Sequence, residues 1–93
     1  MAVTHVPGKK SKKIIVYALS TCPWCAKTKR LLNDMGVEYD FVDVDLETAA
    51  EKHGYIEKIK KWNPASSFPT IVIDDQKCII GFKEYDIIEA VKS

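Results

Sequence analysis

The chain has 93 residues, 46% of them hydrophobic, and its 14 basic and 13 acidic side chains leave a formal net charge of +1. That length favours one compact core over several domains. No stretch approaches the ~20 apolar residues of a membrane span and the first residues lack the apolar stretch of a secretion signal, so the cytoplasm is the expected compartment, with no membrane partner.

Residues 1–13, MAVTHVPGKKSKK, place four lysines in five positions after Pro7-Gly8 and show neither a helical nor a strand period. They are expected to form a flexible basic tail ahead of one domain over residues 14–93. The lysines lack interleaved aromatics, so they read as a solvated tail and no nucleic-acid partner is expected. Ile14-Ile15-Val16-Tyr17-Ala18-Leu19 is a short, β-branched run with the signature of a buried strand. Ser20-Thr21-Cys22-Pro23-Trp24-Cys25 follows, and from Ala26 to Met35 the sequence is rich in helix formers until Gly36 stops it.

From Val37 to Asp45, VEYDFVDVD alternates through Val37, Tyr39, Phe41 or Val42, and Val44, which predicts a second strand parallel to the first with a right-handed crossover. Leu46, Ala49 or Ala50, His53, Ile56, Ile59 and Trp62 recur at helical spacing with lysines opposite, predicting a helix that Trp62-Asn63-Pro64 ends. Pro69 opens the run Thr70-Ile71-Val72-Ile73. Asp74-Asp75-Gln76-Lys77 is turn-like, and Cys78-Ile79-Ile80 completes an antiparallel hairpin. Gly81 breaks the pattern, and Ile87, Ile88 and Val91 predict a last helix from Lys83 to Val91. The expected order is β-α-β-α-β-β-α, an α/β chain with a four-stranded mixed sheet and flanking helices.

The chemistry concentrates in Cys22 and Cys25, two thiols two residues apart at a strand-to-helix junction. Cys22 falls near the N-cap and Pro23 near the first helical position, where a missing N–H costs nothing. Unpaired helix donors and the positive end of the dipole favour a thiolate, the species that attacks disulfides. A thiol of pKa ~8.5 is about 3% ionised at pH 7, whereas one shifted to ~7 is about half ionised, roughly 16-fold more. Nucleophilicity falls with pKa, so the net gain in attack is only about threefold, and the larger benefit is that a low-pKa sulfur leaves readily. Cys25, one turn on, shares a helix face with Thr28, Leu32 and Met35, and its expected shielding suits it to resolving a mixed disulfide at Cys22.

Two other uses of the thiols are weaker. A zinc site would need Cys78 and either His5 or His53 beside the pair, yet the chain lacks the second close cysteine pair that usually accompanies such ligands, and no metal is expected. A structural disulfide would need an oxidising compartment, which nothing in the sequence suggests.

Cys22-Pro23-Trp24-Cys25, followed by Phe68-Pro69-Thr70 ahead of a strand, resembles the glutaredoxin family over residues 14–92. The first motif differs by one aromatic exchange from the Cys-Pro-Tyr-Cys of dithiol glutaredoxins. The resemblance implies a thioredoxin-like fold of glutaredoxin type, a redox-active Cys22–Cys25 disulfide, and thiol–disulfide oxidoreductase activity on protein or glutathione mixed disulfides. It further implies a cis Pro69, with the backbone of Phe68 pairing to the substrate's cysteinyl segment. Pro23, Trp24, Gly81 and Phe82 line the implied substrate site, and Lys61 is the candidate for the glycine carboxylate of glutathione. Lys61 with Lys58 and Lys60 also reads as a solvated basic face that complements the end of its helix.

Around that motif the chain departs from the family pattern. Leu19 stands where many glutaredoxins have a lysine, and Ile80-Gly81-Phe82-Lys83-Glu84 replaces the Gly-Gly, polar residue and aspartate that grip the γ-glutamyl end. The Gly81-Phe82 pair is similar to that of the redoxins that donate hydrogen to ribonucleotide reductase and take electrons from a reductase. The expected partners are therefore disulfide-containing proteins and a thiol reductant, either glutathione or a thioredoxin-type reductase, acting on a monomer. No tightly bound cofactor is expected, with glutathione entering as reductant or co-substrate. The alternative implied by the resemblance is a carrier that holds a [2Fe-2S] cluster through Cys22 and glutathione. Cys78 in its strand reads as a small buried hydrophobe and His53 as a boundary residue. Lys27 is a candidate cation for the Cys22 thiolate.

Overall fold

The computed structural model describes residues 3–92, so Met1 and Ala2 of the expected tail and Ser93 at the end of the expected domain lie outside the described residues. The elements are β1 (Thr4–Val6), β2 (Ile14–Ala18), α1 (Pro23–Met35), β3 (Tyr39–Asp43), a 3-10 turn (Val44–Leu46), α2 (Ala49–Trp62), β4 (Thr70–Ile73), β5 (Lys77–Ile80) and α3 (Glu84–Lys92). The sheet runs β1-β3-β2-β4-β5, with β2 parallel to β3 and the other neighbours antiparallel.

β2 is apolar throughout because both its faces are covered, the usual reason a central strand lacks alternation. Ile14, Val16 and Ala18 face Cys25 and Leu32 of α1 and Ile87, Ala90 and Val91 of α3. Tyr17 points to the other face, where Val42, Val44, Val72 and Ile59 of α2 form a smaller cluster. β3 divides in the same way, so the choice between Phe41 and Val42 has no single answer: Tyr39 and Phe41 serve the first cluster and Val42 the second. The molecule is thus three layers, with α1 and α3 on one side of the sheet and α2 on the other.

Two expectations are corrected. The sheet has five strands, not four, because Thr4–Val6 within the expected tail pairs antiparallel with β3 through Thr4↔Phe41, His5↔Asp40 and Val6↔Tyr39. Three residues are too few for a legible period, and the pairing is supplied by backbone. The segment that follows is also fastened. Lys9 N–H donates to Gly36 O at 2.8 Å, Glu38 N–H donates to Lys9 O at 2.9 Å, and Ser11 Oγ donates to Val91 O at 2.7 Å. Gly8 lies so close to the turn after α1 that a Cβ there would sit 2.7 Å from the carbonyl carbon of Val37. Any other residue would push the arm away.

The second correction concerns α2, which begins at Ala49 and not near Leu46. Thr48 caps it by accepting the Glu51 N–H at 3.3 Å, and its hydroxyl donates to Glu51 Oε1 at 3.0 Å, a capping pair that fixes the start. Leu46 is left in the 3-10 turn, 68% exposed. Only Ile59 of the expected stripe is buried, and Ala49, Ala50 and His53 are exposed, since one helix alone covers this face of the sheet. Among the described residues no helix is long and apolar enough to cross a membrane.

At the β1 edge, His5 Nδ1 lies 2.7 Å from Asp40 Oδ1 and His5 Nε2 lies 2.9 Å from Glu38 Oε2. Both ring nitrogens can serve carboxylates only when both carry protons, so the imidazolium is the form that fits. The hydrogen bond to Asp40, with the charges of Asp40 and Glu38, raises the His5 pKa above 6.5. The contribution of this clamp is therefore full below about pH 6.5 and is lost as the pH rises through the higher folded value. Protection factors of the β1 amides in hydrogen exchange should fall across that window, and a His5→Gln variant should show no such pH dependence.

Candidate active site

α1 starts where the sequence places it. Cys22 is the N-cap in an extended conformation (φ −89°, ψ 117°), and Pro23 follows at the first helical position. The Cys25 N–H donates to Cys22 Sγ at 3.3 Å, so one of the unpaired helix donors is aimed at the sulfur. Cys22 is half-buried and Cys25 is 0% exposed, with Thr28 and Leu32 beside it on the inner face. Both thiols are free.

The environments of the two sulfurs differ sharply. Burial pushes the Cys25 thiol up to about 12, helped by its hydrogen bond with Cys22, while a Leu19 backbone hydrogen bond and the Lys29 charge act weakly the other way. Lys29 itself is committed to Asp43 at 2.8 Å and to the face of Phe41, 4.1 Å from the ring centroid. Cys25 therefore stays protonated over the physiological range, in the half of the pair shielded from solvent.

Of the residues singled out in the sequence, Trp24, Phe68, Pro69, Gly81 and Phe82 come together, while Pro23, at the start of α1, is not one of the lining residues. A groove of about 330 Å³ is lined by Trp24, Phe68, Pro69, Ile80, Gly81, Phe82 and Lys83. Trp24 is 54% exposed and stacks on Phe82 with centroids 6.0 Å apart and planes at 24°. The Phe68–Pro69 peptide bond is cis. Gly81 adopts φ +84°, a conformation costly for a side-chain residue, and its N–H donates to Pro69 O at 2.8 Å, tying the two walls together. Lys83 supplies the groove's cation. Lys61 sits on the exposed last turn of α2 and is not one of the lining residues. Lys27 lies over Trp24, 4.6 Å from the ring centroid.

The zinc reading finds no geometry to support it. His5 and Cys78 belong to opposite edge strands, His53 to an exposed turn of α2, and no group of three or more metal-ligating side chains occurs among the described residues. Cys78 is half-buried rather than fully buried, because β5 is an edge strand. Burial raises its thiol pKa, and it lines a separate cavity of about 560 Å³ between β5 and α3.

Asn63, which the sequence presents only as a helix terminator, is the hub of the loop that leads to Pro69. It is 2% exposed, and its Nδ2 donates to Ser67 Oγ at 2.9 Å, Thr70 Oγ1 at 3.2 Å and Ser67 O at 3.3 Å. Its Oδ1 accepts the Ala65 N–H at 3.2 Å, and Thr70 Oγ1 donates to Ser67 O at 2.8 Å. The signal available in sequence was the Asn-Pro pair followed by Ala-Ser-Ser, a loop of short polar side chains suited to bonding their own backbone.

The glutaredoxin family model matches residues 14–79 of this chain. Glutaredoxin 1 of Rickettsia conorii is 40% identical over 62 residues, covering 67% of this chain and 58% of that protein, so the match spans less than two thirds of the relative's length. The Gene 56 protein of Mycobacterium phage D29 is 37% identical over 78 residues, 84% of this chain and 81% of that one. Among solved structures, the glutaredoxin of Methanosarcina mazei Go1 superposes with a TM-score of 0.90 at 46% identity, covering 98% of this chain and 88% of its own. Methanosarcina acetivorans methanoredoxin gives a TM-score of 0.88 at 49% identity, covering 90% and 88%.

Two outcomes are expected from this geometry. Asn63→Ala strips several bonds at once from a buried loop and should cost about 2 kcal/mol, read as a Tm lower by about 10 °C. For Cys25, the folded reduced protein keeps a proton that the unfolded chain loses near pH 9.0, so its contribution to stability is full below that pH and disappears as the pH rises toward about 12. Urea unfolding of the reduced protein should weaken more steeply above pH 9.0 than that of a Cys25→Ala variant.

Proposed function

The chain belongs to the glutaredoxin family, with a thioredoxin-like α/β fold, and on that premise we propose that it is a thiol–disulfide oxidoreductase whose main substrates are protein disulfides. The observation that carries this reading is the graded pair of thiols: a half-buried Cys22 at a helix N-terminus with an N–H on its sulfur, and a fully shielded Cys25 held as the neutral thiol.

In the first step the Cys22 thiolate attacks one sulfur of the substrate disulfide, forming an S–S bond to Cys22 and releasing the other substrate sulfur as a thiolate. Cys25 then gives up its proton, which the released thiolate accepts, and attacks Cys22 Sγ. The mixed disulfide breaks, the second substrate sulfur departs as a thiolate, and the enzyme is left with a Cys22–Cys25 disulfide. Two electrons have passed to the substrate. The high pKa of Cys25 suits this order, since a protonated resolving thiol does not compete with Cys22 for the first attack, and contact with a newly formed thiolate supplies the base it needs.

The groove beside Cys22 favours a protein segment as the incoming group. Trp24, Phe68, Ile80 and Phe82 offer apolar surface to side chains flanking a substrate cysteine, and the edge at Phe68, before the cis Pro69, offers backbone for strand-like pairing. Only Lys83 among the lining residues answers a carboxylate, and Leu19 adds no charge near the thiols. A dithiol reductase is therefore the proposed electron source, with glutathione as the competing reductant.

Cys22→Ser should abolish all turnover. Cys25→Ser should reduce protein disulfides at least ~100-fold more slowly while retaining exchange with glutathione mixed disulfides, because only the former reaction needs an internal resolving thiol. Equal loss of both activities in Cys25→Ser would sink this mechanism, and rapid reduction of the oxidised protein by glutathione with glutathione reductase would overturn the proposed electron source.

A further inference from the structure

Three residues, Leu19, Ser20 and Thr21, join the end of β2 to Cys22, and the direction in which the Cys22 sulfur projects depends on how that link is held. One constraint is the Cys22 N–H donating to Leu19 O at 3.2 Å. The other comes from the neighbouring parallel strand. The register pairs Ala18 of β2 with Asp43 of β3, so residues two beyond each pair, Ser20 and Asp45, are carried to the same end of the sheet. There Asp45 Oδ1 accepts the Ser20 N–H at 2.8 Å and Asp45 Oδ2 accepts the Ser20 hydroxyl at 2.5 Å. Asp45 stands in the 3-10 turn, which is closed by the Glu47 N–H on Val44 O at 3.2 Å, so the carboxylate is mounted on a defined piece of backbone.

We propose that Asp45 is a positioning residue for the thiol chemistry, fixing the link through Ser20 so that Cys22 Sγ stays at the helix N-terminus against the Cys25 N–H. The inference rests on the oxidoreductase reading of Cys22 and adds to it a residue outside the cysteine motif. Asp45 is given no proton-accepting role in this scheme, because the partner its two oxygens hold is Ser20 and not a thiol. The two Ser20 hydrogen bonds, with a smaller contribution from the Lys52 charge, hold its carboxyl below the ordinary 3.8, so the anchor is intact throughout the range in which thiols react. Nothing in the sequence marks this residue: it is one of three aspartates in Val-Asp-Val-Asp and the residues before it, and only the parallel register selects it.

A purely electrostatic or purely structural role for Asp45 gives a different result in one measurement, the pH profile of Cys22 alkylation by iodoacetamide in the full chain, followed by mass spectrometry. If Asp45 positions the link, Asp45→Ala lets the sulfur part from the Cys25 N–H. The profile then moves to higher pH, and the rate at pH 7 falls about fivefold, since thiolate reactivity depends on that helix-terminal donor. Loss of a nearby negative charge alone moves the profile to lower pH, and loss of general stability alone lowers Tm without moving it. Asp45→Asn keeps an acceptor for the Ser20 N–H and an amide for its hydroxyl, so it should restore the rate at pH 7 to the wild-type value or above. Ser20→Ala, which removes the hydroxyl bond only, should give a smaller shift in the direction of Asp45→Ala and carries the test if that variant does not fold. An Asp45→Ala profile that is unchanged or moved to lower pH overturns the proposal. Failure of the wild-type protein to reduce any disulfide would overturn the oxidoreductase reading instead, and the alkylation profiles would still report on the link.

Discussion

Burial of β2 on both faces is the constraint from which the site follows. A strand flanked by β3 and β4, with α1 and α3 above it and α2 below, has no freedom to slide, because a shift of one residue would exchange Val16 and Ala18 for Ile15 and Tyr17 across the sheet. The chain leaves this strand at a fixed point and turns within a few residues into α1. Cys22 sits at that turn. Its position as N-cap is thus inherited from the register of the core, and the donor aimed at its sulfur is a consequence of where the helix must start.

The same helix explains why two cysteines of one motif behave so differently. Cys25 lies three residues beyond Cys22, on the same side of the helix and about 4.5 Å further along its axis, which takes it from the cap at the helix end to a depth where it packs on Ile14, Val16 and Ala18. Cys22 remains half-buried at the helix end, while Cys25 joins the core and keeps its proton. The proposed division of labour between attacking and resolving thiols needs no further catalytic group. It is written into the helical period and the depth of the core.

What was legible in the sequence and what was not divide along physical lines. β2, α1, the hairpin of β4 and β5, and α3 all show in the pattern because apolar burial enforces their periods, and the cysteine pair shows because its spacing is local. β1 did not show: it is held by backbone pairing, the His5 clamp and the close approach of Gly8, none of which leaves an apolar period. Apolar periodicity alone places the start of α2 too early, because the stripe runs back through Leu46 beyond Thr48, whose pairing with Glu51 is the stronger boundary. Within the site, Phe68-Pro69 and Gly81-Phe82 are recognisable only as motifs; the antiparallel pairing of β4 with β5 brings the two pairs side by side, and Trp24 reaches the same groove from α1.

The elements that frame the reactive sulfur share one further feature. A groove open to solvent is not stiffened by burial, so its loops need another source of order. Here that source is a polar side chain bonded to loop backbone on each side of Cys22. Asn63 gathers Ala65, Ser67 and Thr70 below the cis Pro69, and Asp45 gathers Ser20 ahead of α1. Asp45 reaches back to Ser20 from the turn after the neighbouring strand, whereas Asn63 grips its own loop as far as Thr70 at the start of β4, and each is a short side chain with two polar atoms, able to grip two groups at once. The apolar surface that Trp24, Phe68 and Phe82 present to the groove is thereby left open for the proposed recognition. Packing fixes the scaffold, and hydrogen bonds fix the exposed rim, so the groove can be both open and ordered.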